Sequence, residues 1–327
     1  MNTTEKRKRF LSGVQPSGKL HLGNYFGAIK QQIELQDQGE TFYFIANYHA
    51  LTTLSDAKQL RENTRDVAIT YLACGLDPER AVLFRQSDVP QVTELAWLLS
   101  PVTGMGLLER AVSYKDKIAR GIAPSVGLFT YPVLMAADIL AYQSDVVPVG
   151  QDQVQHIEMT QDMAGYFNTT FGVEVFKRPE ARLDRVAKVP GVDGQKMSKS
   201  YGNTIEIFAA GKELKKRVMS VVTDSKGVED VKDPETCNVF NLFSLFGSEA
   251  EKAELAAKYR AGGMGYGDAK KALLEKIEAY FEPYRKKRED LLNNLDHVEA
   301  VLKRGAERAR VEAQATLSAA RKACGLD

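Results

Sequence analysis

The chain has 327 residues, 44% apolar and 27% charged, with 44 Lys and Arg against 43 Asp and Glu for a formal net charge of +1. That is the composition of an ordinary globular protein long enough for two domains, and it excludes a chain that holds nucleic acid by bulk charge alone, which would be more basic. No run of about eighteen apolar residues occurs, no apolar segment follows the basic start, and Cys74, Cys237 and Cys324 are odd in number and far apart; membrane spanning, secretion and structural zinc are not expected, and a reducing, cytoplasmic compartment is.

The first predicted element is a short buried strand, Arg9 to Val14, which runs into Gln15-Pro16-Ser17-Gly18-Lys19-Leu20-His21-Leu22-Gly23-Asn24. Leu22, Phe26, Ile29 and Ile33 then recur at helical spacing, giving strand, glycine-bearing turn and helix. Such a turn suits an anion or a nucleotide. Gly18 and Gly23 let backbone approach a ligand, the free N–H groups of the helix start face it, His21 can donate to phosphate oxygens, and Asn24 offers a donor and an acceptor. Residues 41–46 and 81–84 are short, apolar and β-favouring, and Leu60, Val67, Ala68, Tyr71 and Leu72 keep helical spacing between them. The succession is βαβ, hence a parallel sheet with right-handed crossovers whose ligands gather at the carboxyl ends of the strands.

A helical insertion is predicted from about 91 to 140. It contains Met135-Ala136-Ala137-Asp138-Ile139-Leu140, and a carboxylate in so apolar a segment is usually paired or functional, the alternative being a helix that faces solvent on one side. Residues 146–149 return as a strand and deliver Gly150-Gln151-Asp152-Gln153 to the same edge of the sheet. His49 and His156 stand apart from any cysteine or carboxylate cluster at ligand spacing, so hydrogen bonding is expected of them and a metal is not.

The turn Pro190-Gly191-Val192-Asp193-Gly194 precedes Lys196-Met197-Ser198-Lys199-Ser200. Two ammonium groups three residues apart, on a segment that small residues leave mobile, can clamp a polyphosphate. A chance match to the whole pentapeptide in a chain of this length is roughly one in ten thousand. Beyond it the pattern is helical, interrupted at Gly262-Gly263-Met264-Gly265, and Gly305 is expected to bend or break the last helical region. If RNA is a partner, contact is expected from basic runs such as Lys215-Lys216-Arg217 or Arg285-Lys286-Lys287-Arg288.

His21-Leu22-Gly23-Asn24 resembles the "HIGH" motif, and Lys196 to Ser200 the "KMSKS" motif, of class I aminoacyl-tRNA synthetases. The context is narrower. Ser12 to Gly18, Gly23-Asn24-Tyr25, Gly27-Ala28, Thr130 to Leu140 and Val147 to Glu158 resemble tryptophanyl-tRNA synthetases of bacterial type. Asn24 stands where the wider class has His, and Leu11 where some relatives place an aromatic residue beside the indole.

The resemblance implies a Rossmann-type, HUP-like catalytic domain over 1–205, with the helical insertion at about 91–140, and an all-helical domain over 206–327 that binds the tRNA anticodon. It implies ATP with Mg²⁺, L-tryptophan and the tryptophan-specific tRNA as ligands, and a homodimer. By position, His21, Asn24, Lys117, Lys196 and Lys199 would act on the phosphates. Gln15, Pro16, Ser17, Gly23, Gly150, Gln151, Asp152, Val189, Met197, Ser198 and Ser200 would join Asn24, Lys196 and Lys199 around ATP. Asp138 would accept the indole N–H, with Tyr131, Met135, Val147, Val149, Gln153 and His49 completing the tryptophan site. No residue is assigned to a metal. Tyrosyl-tRNA synthetases share the fold and both motifs and remain the nearest alternative. A synthetase-like RNA-binding regulator is a more distant one, against which the intact Lys196, Ser198 and Lys199 stand.

Overall fold

Strand β1 (Arg9–Val14) is the centre of the sheet, flanked on one side by β2 (Glu40–Ile45) and β3 (Ala81–Arg85) and on the other by β4 (Val146–Val149) and β5 (Glu180–Leu183). All four pairings are parallel and the order is β3-β2-β1-β4-β5. The computed structural model describes residues 7–119, 121, 123–183 and 189–326, without the side chains of 113, 116 and 117. Leu11, Phe42, Tyr43, Val82 and Phe84 are each at most 2% exposed, as expected of parallel strands covered on both faces. β5, whose residues are all exposed, was not expected from the sequence.

The strand order reverses between β1 and β4, the topological switch point at which ligands bind in open α/β sheets. Here β1 and β4 are registered only at Phe10 and Val146. Beyond that pair Leu11 to Val14 and Val147 to Val149 line a cavity, and Pro148 within β4 has no N–H to give to a ladder. The loop after β1 and the loop after β4 flank this opening.

Two apolar cores lie against the sheet. One joins Leu22, Tyr25, Ile29, Val67 and Leu72 to the later helices through Leu242, Leu273, Ile277 and Phe281. The other joins the insertion helices Gln91–Leu99 and Val126–Ala141, and the helix Val154–Phe171, to Ala306, Ala309, Ala313 and Leu317 of the last helix. The insertion is helical as the sequence indicates, and the pause at 262–265 separates helices Glu249–Ala261 and Tyr266–Leu292.

Gly305 does not bend or break the last helix, which is continuous over Leu295–Ala323. A Cβ at Gly305 would lie 1.9 Å from the carbonyl oxygen of Leu83. Glycine costs a helix about 1 kcal/mol against alanine, but here it lets the helix axis come down onto β3. The helix that ends the chain therefore packs on the sheet formed at its beginning.

Candidate active site

Ser17 and Gln15 are exposed and Pro16 is buried in the turn after β1, where Ser17 N donates to Gln15 O at 2.9 Å and Gly18 takes a φ of +97°. His21 opens the helix that follows. Its main-chain N–H donates to Asn24 Oδ1 at 3.0 Å, so Asn24 fixes the helix start. The His21 ring is 7% exposed and its Nδ1 has no hydrogen-bond partner. Burial, and secondarily the nearby Lys199 ammonium, push its pKa down to about 4, so the ring is neutral at physiological pH. A Cβ on Gly23 would meet His21 Nδ1 at 2.9 Å and Met197 Cβ at 3.4 Å, so the two motifs meet at this glycine.

That meeting has a backbone cause. Leu22 N donates to Ile205 O at 2.9 Å and Ile207 N donates to Leu20 O at 3.1 Å, with His21 bridged to Glu206 in antiparallel fashion. The segment just past Lys196–Ser200 is thus paired to the segment that carries His21. Pro190 and Lys196 form a second bridge, and Met197 N donates to Val189 O at 3.0 Å. Met197 and Val189 are each 4% exposed and pack in the core below the loop. Lys196, Lys199 and Ser200 are exposed and Ser198 is half-buried. Lys199 Nζ donates to Ser17 O at 3.0 Å; desolvation there lowers its pKa, and Asp66 and Glu206 oppose the shift.

The cavity at the switch point has a volume of about 480 Å³. His49, Tyr131, Met135, Val147, Val149 and Gln153 line it, as do Gln15 and Gly150. Asp138 is not in the lining. It is 1% exposed, and its Oδ2 accepts from Gln86 Nε2 at 2.7 Å and meets His49 Nε2 at 2.9 Å. Burial pushes its carboxyl pKa up, while the hydrogen bonds from His49 and Gln86 pull it back. The carboxylate is therefore joined to the cavity wall through His49. His156 Nε2 pairs with Tyr131 Oη at 2.6 Å, so both histidines serve hydrogen bonding.

Gln86 escaped sequence reasoning. It is 1% exposed, and besides Asp138 it accepts from Tyr48 N at 3.0 Å, which ties the His49 segment to the carboxylate. The available signal was a polar residue one position beyond the end of β3. Gln32 and Ser12, joined at 2.6 Å and lining the cavity, were missed as well; a glutamine within a helical repeat gives no warning of burial.

Gly150, Gln151 and Asp152 follow β4 at the cavity mouth. Gln151 and Asp152 are exposed, and Asp152 Oδ2 accepts from Gln153 Nε2 at 3.0 Å. Lys117 falls in the helix Val112–Ala119, but its side chain lies outside the described residues. Among the described residues no group of three or more His, Cys, Asp or Glu could hold a metal ion, and no helix is long and apolar enough to cross a membrane.

The run Arg285 to Arg288 is largely engaged within the chain. Arg288 pairs with Asp66 and lies over the Phe208 ring, Arg285 donates to Ala209 O and Glu278 O, and Lys286 pairs with Glu282 at 2.7 Å. Lys215 and Lys216 are exposed. On the insertion, Trp97 is 70% exposed, Met105 62% and Val126 80%.

Residues 3–282 match the family described as tRNA synthetases class I (W and Y). The chain is 56% identical over 319 residues to the tryptophan–tRNA ligase of Rhodopirellula baltica, covering 97% of this chain and 99% of that one. It is 56% identical over 320 residues to the ligase of the same name from Fusobacterium nucleatum, covering 98% of each. Among solved structures it is similar to the tryptophanyl-tRNA synthetase of Campylobacter jejuni complexed with ADP and tryptophan, with a TM-score of 0.93 and 50% identity over 97% of this chain and 100% of that one.

Proposed function

The chain belongs to the class I tRNA synthetases for tryptophan and tyrosine, and from that premise we propose how its residues share the work. It is a tryptophan–tRNA ligase that spends ATP in two steps. The tryptophan carboxylate oxygen attacks the α-phosphorus of ATP, the bond to the bridging oxygen breaks, and pyrophosphate leaves. A terminal ribose hydroxyl of the tRNA then attacks the acyl carbon, and AMP leaves. Near-full-length identity to bacterial tryptophan–tRNA ligases carries the choice of tryptophan over tyrosine.

In the first step negative charge must be neutralised more in the transition state than before it. Lys196 and Lys199 supply the neutralising positive charge at the departing phosphates, Ser198 and Ser200 donate beside them, and the family resemblance adds Lys117 of the insertion. His21 donates to the α-phosphate side as a neutral ring, while Asn24 fixes the turn. The observation that supports this reading is the pairing of residues 20–22 with 205–207, beside which Lys199 Nζ meets Ser17 O in the turn after β1. Gln15, Pro16, Ser17, Gly23, Val189 and Met197 border the nucleotide, Gly150 and Gln151 let it approach, and Asp152 takes the ribose hydroxyls. The residues proposed around the phosphates are cationic or neutral and offer a metal no carboxylate, so Mg²⁺ would be held by ATP itself and would supply further charge neutralisation there.

The indole enters the apolar cavity between Met135, Val147 and Val149, with Tyr131 and Gln153 at the amino-acid end. His49, held from behind by Asp138, meets the indole N–H side, so the carboxylate acts on the indole through that ring. An analogue that cannot donate leaves a buried polar group of this wall short of a partner, at a cost of about 1–3 kcal/mol. Residues 1–205 form the catalytic unit and 206–327 the helical unit that meets the tRNA anticodon, with the last helix packed on both. Two copies associate through the insertion, where Trp97, Met105 and Val126 are exposed. Three mutually distant thiols suit the cytoplasm. Tryptophan-dependent exchange of pyrophosphate into ATP tests the assignment.

A further inference from the structure

Asn203 is polar, three residues past the Lys196–Ser200 pentapeptide, and 2% exposed. Its Oδ1 accepts from Ser198 N at 2.8 Å, and its Nδ2 donates to Lys196 O at 3.2 Å and to Asp193 Oδ1 at 2.8 Å. Its main-chain oxygen accepts from Val192 N at 3.0 Å. One primary amide thus grips the loop on both sides of Met197 and at the preceding turn. Each side-chain bond uses a capacity that only an amide combines, an acceptor and two donors. The fit is close: a Cβ on Gly191 would lie 2.3 Å from Asn203 Cγ and Nδ2. The next residues but one, 205–207, are those paired to the His21 segment.

We propose that Asn203 is a positioning residue for adenylate formation, holding the turn that carries Lys196 and Lys199 at a fixed place against the Ser17–His21 segment. This rests on the reading of those two lysines as the phosphate-binding groups. Asn203 is buried beneath the loop and acts through the loop backbone. Reaction rates fall steeply when charged groups are displaced by as little as about 1 Å. Asn238 Nδ2 donates to Gly191 O at 3.0 Å and so steadies the preceding turn, while Asn203 is the buried amide that reaches Lys196 and Ser198 themselves. Asp193, exposed at the turn, is the outer partner of the same amide.

The substitution Asn203→Asp keeps the volume and the acceptor, removes both donors, and sets a carboxylate against Asp193 and the Lys196 carbonyl. On the full chain, single-turnover adenylate formation at saturating ATP and equilibrium tryptophan binding are measured for Asn203→Asp, for Lys196→Ala/Lys199→Ala, and for the three changes together. Asn203→Asp is expected to slow the step at least about tenfold with tryptophan affinity kept within about twofold, and to cost less than about twofold when both lysines are gone. An equal loss in both backgrounds, or tryptophan affinity falling with the rate, would overturn the proposal. If removing the lysines leaves the rate unchanged, the reading of the phosphate site fails; if it slows the step and Asn203→Asp does not, the role of Asn203 alone fails. A thermal melt of each variant checks folding. Should Asn203→Asp not fold, Asp193→Ala carries the same test from the exposed side of the turn, where an unchanged rate would count against the proposal.

Discussion

Lys199 Nζ donates to the carbonyl oxygen of Ser17 at 3.0 Å, joining two segments 182 residues apart in the chain. The ammonium is partly desolvated there, which lowers its pKa, and in the proposed function it is one of the groups that take the phosphates of ATP. A carbonyl is a weaker partner for an ammonium than a phosphate oxygen, so ATP can take Lys199 over from Ser17.

Lys199→Ala should therefore slow adenylate formation by about 100-fold or more while changing tryptophan affinity little, as expected for a group that acts in the transition state. Rapid-quench measurement of adenylate, set beside equilibrium tryptophan binding, reads the two effects separately. Equal losses in both would contradict the assignment.

Asp138 is held by Gln86 and His49 with 1% exposure. Asp138→Ala should raise the KM for tryptophan, relax discrimination against phenylalanine, and destabilise the fold by about 1–3 kcal/mol because two buried side chains lose their acceptor. Exchange assays with both amino acids and a denaturant titration check the three outcomes. Unchanged discrimination would move specificity to another wall of the cavity.

His21 has a folded pKa of about 4 against an ordinary 6.5. Between those values the unfolded chain binds the proton and the folded chain does not, so this group's contribution to stability is complete above pH 6.5 and is lost as pH falls toward 4. His21→Gln should flatten that part of the profile: measured from pH 7 to 4.5, the melting temperature of the parent chain should fall more steeply than that of the variant. Parallel curves would show that His21 is not the buried neutral ring described.

Trp97, 70% exposed with Met105 and Val126 on the same insertion, should be covered by a second copy. Trp97→Glu is expected to convert a dimer to a monomer in sedimentation at micromolar concentration. A parent chain that sediments as a monomer would remove the proposal.

Much of the fold and site was legible in the residues. The alternation of short apolar runs with helical spacing marks β1 to β4, and Gly18, Gly23 and the pentapeptide mark the two turns that the fold brings together. What was hidden depends on approach between distant segments. Gly305 reads as a helix breaker because its reason, the Leu83 carbonyl, lies more than two hundred residues earlier. Gln86 and Asn203 look like surface polar residues until the fold buries them against Asp138 and the Lys196 turn. Arg285 to Arg288 read as a basic run open to solvent or to RNA, and the partners of Arg288 and Lys286, which are Asp66, Phe208 and Glu282, could not be read from it.

The most direct test of the whole account is amino-acid-dependent exchange of labelled pyrophosphate into ATP across all twenty amino acids. Exchange with tryptophan alone is the predicted result. Exchange that runs with tyrosine and not with tryptophan would contradict it.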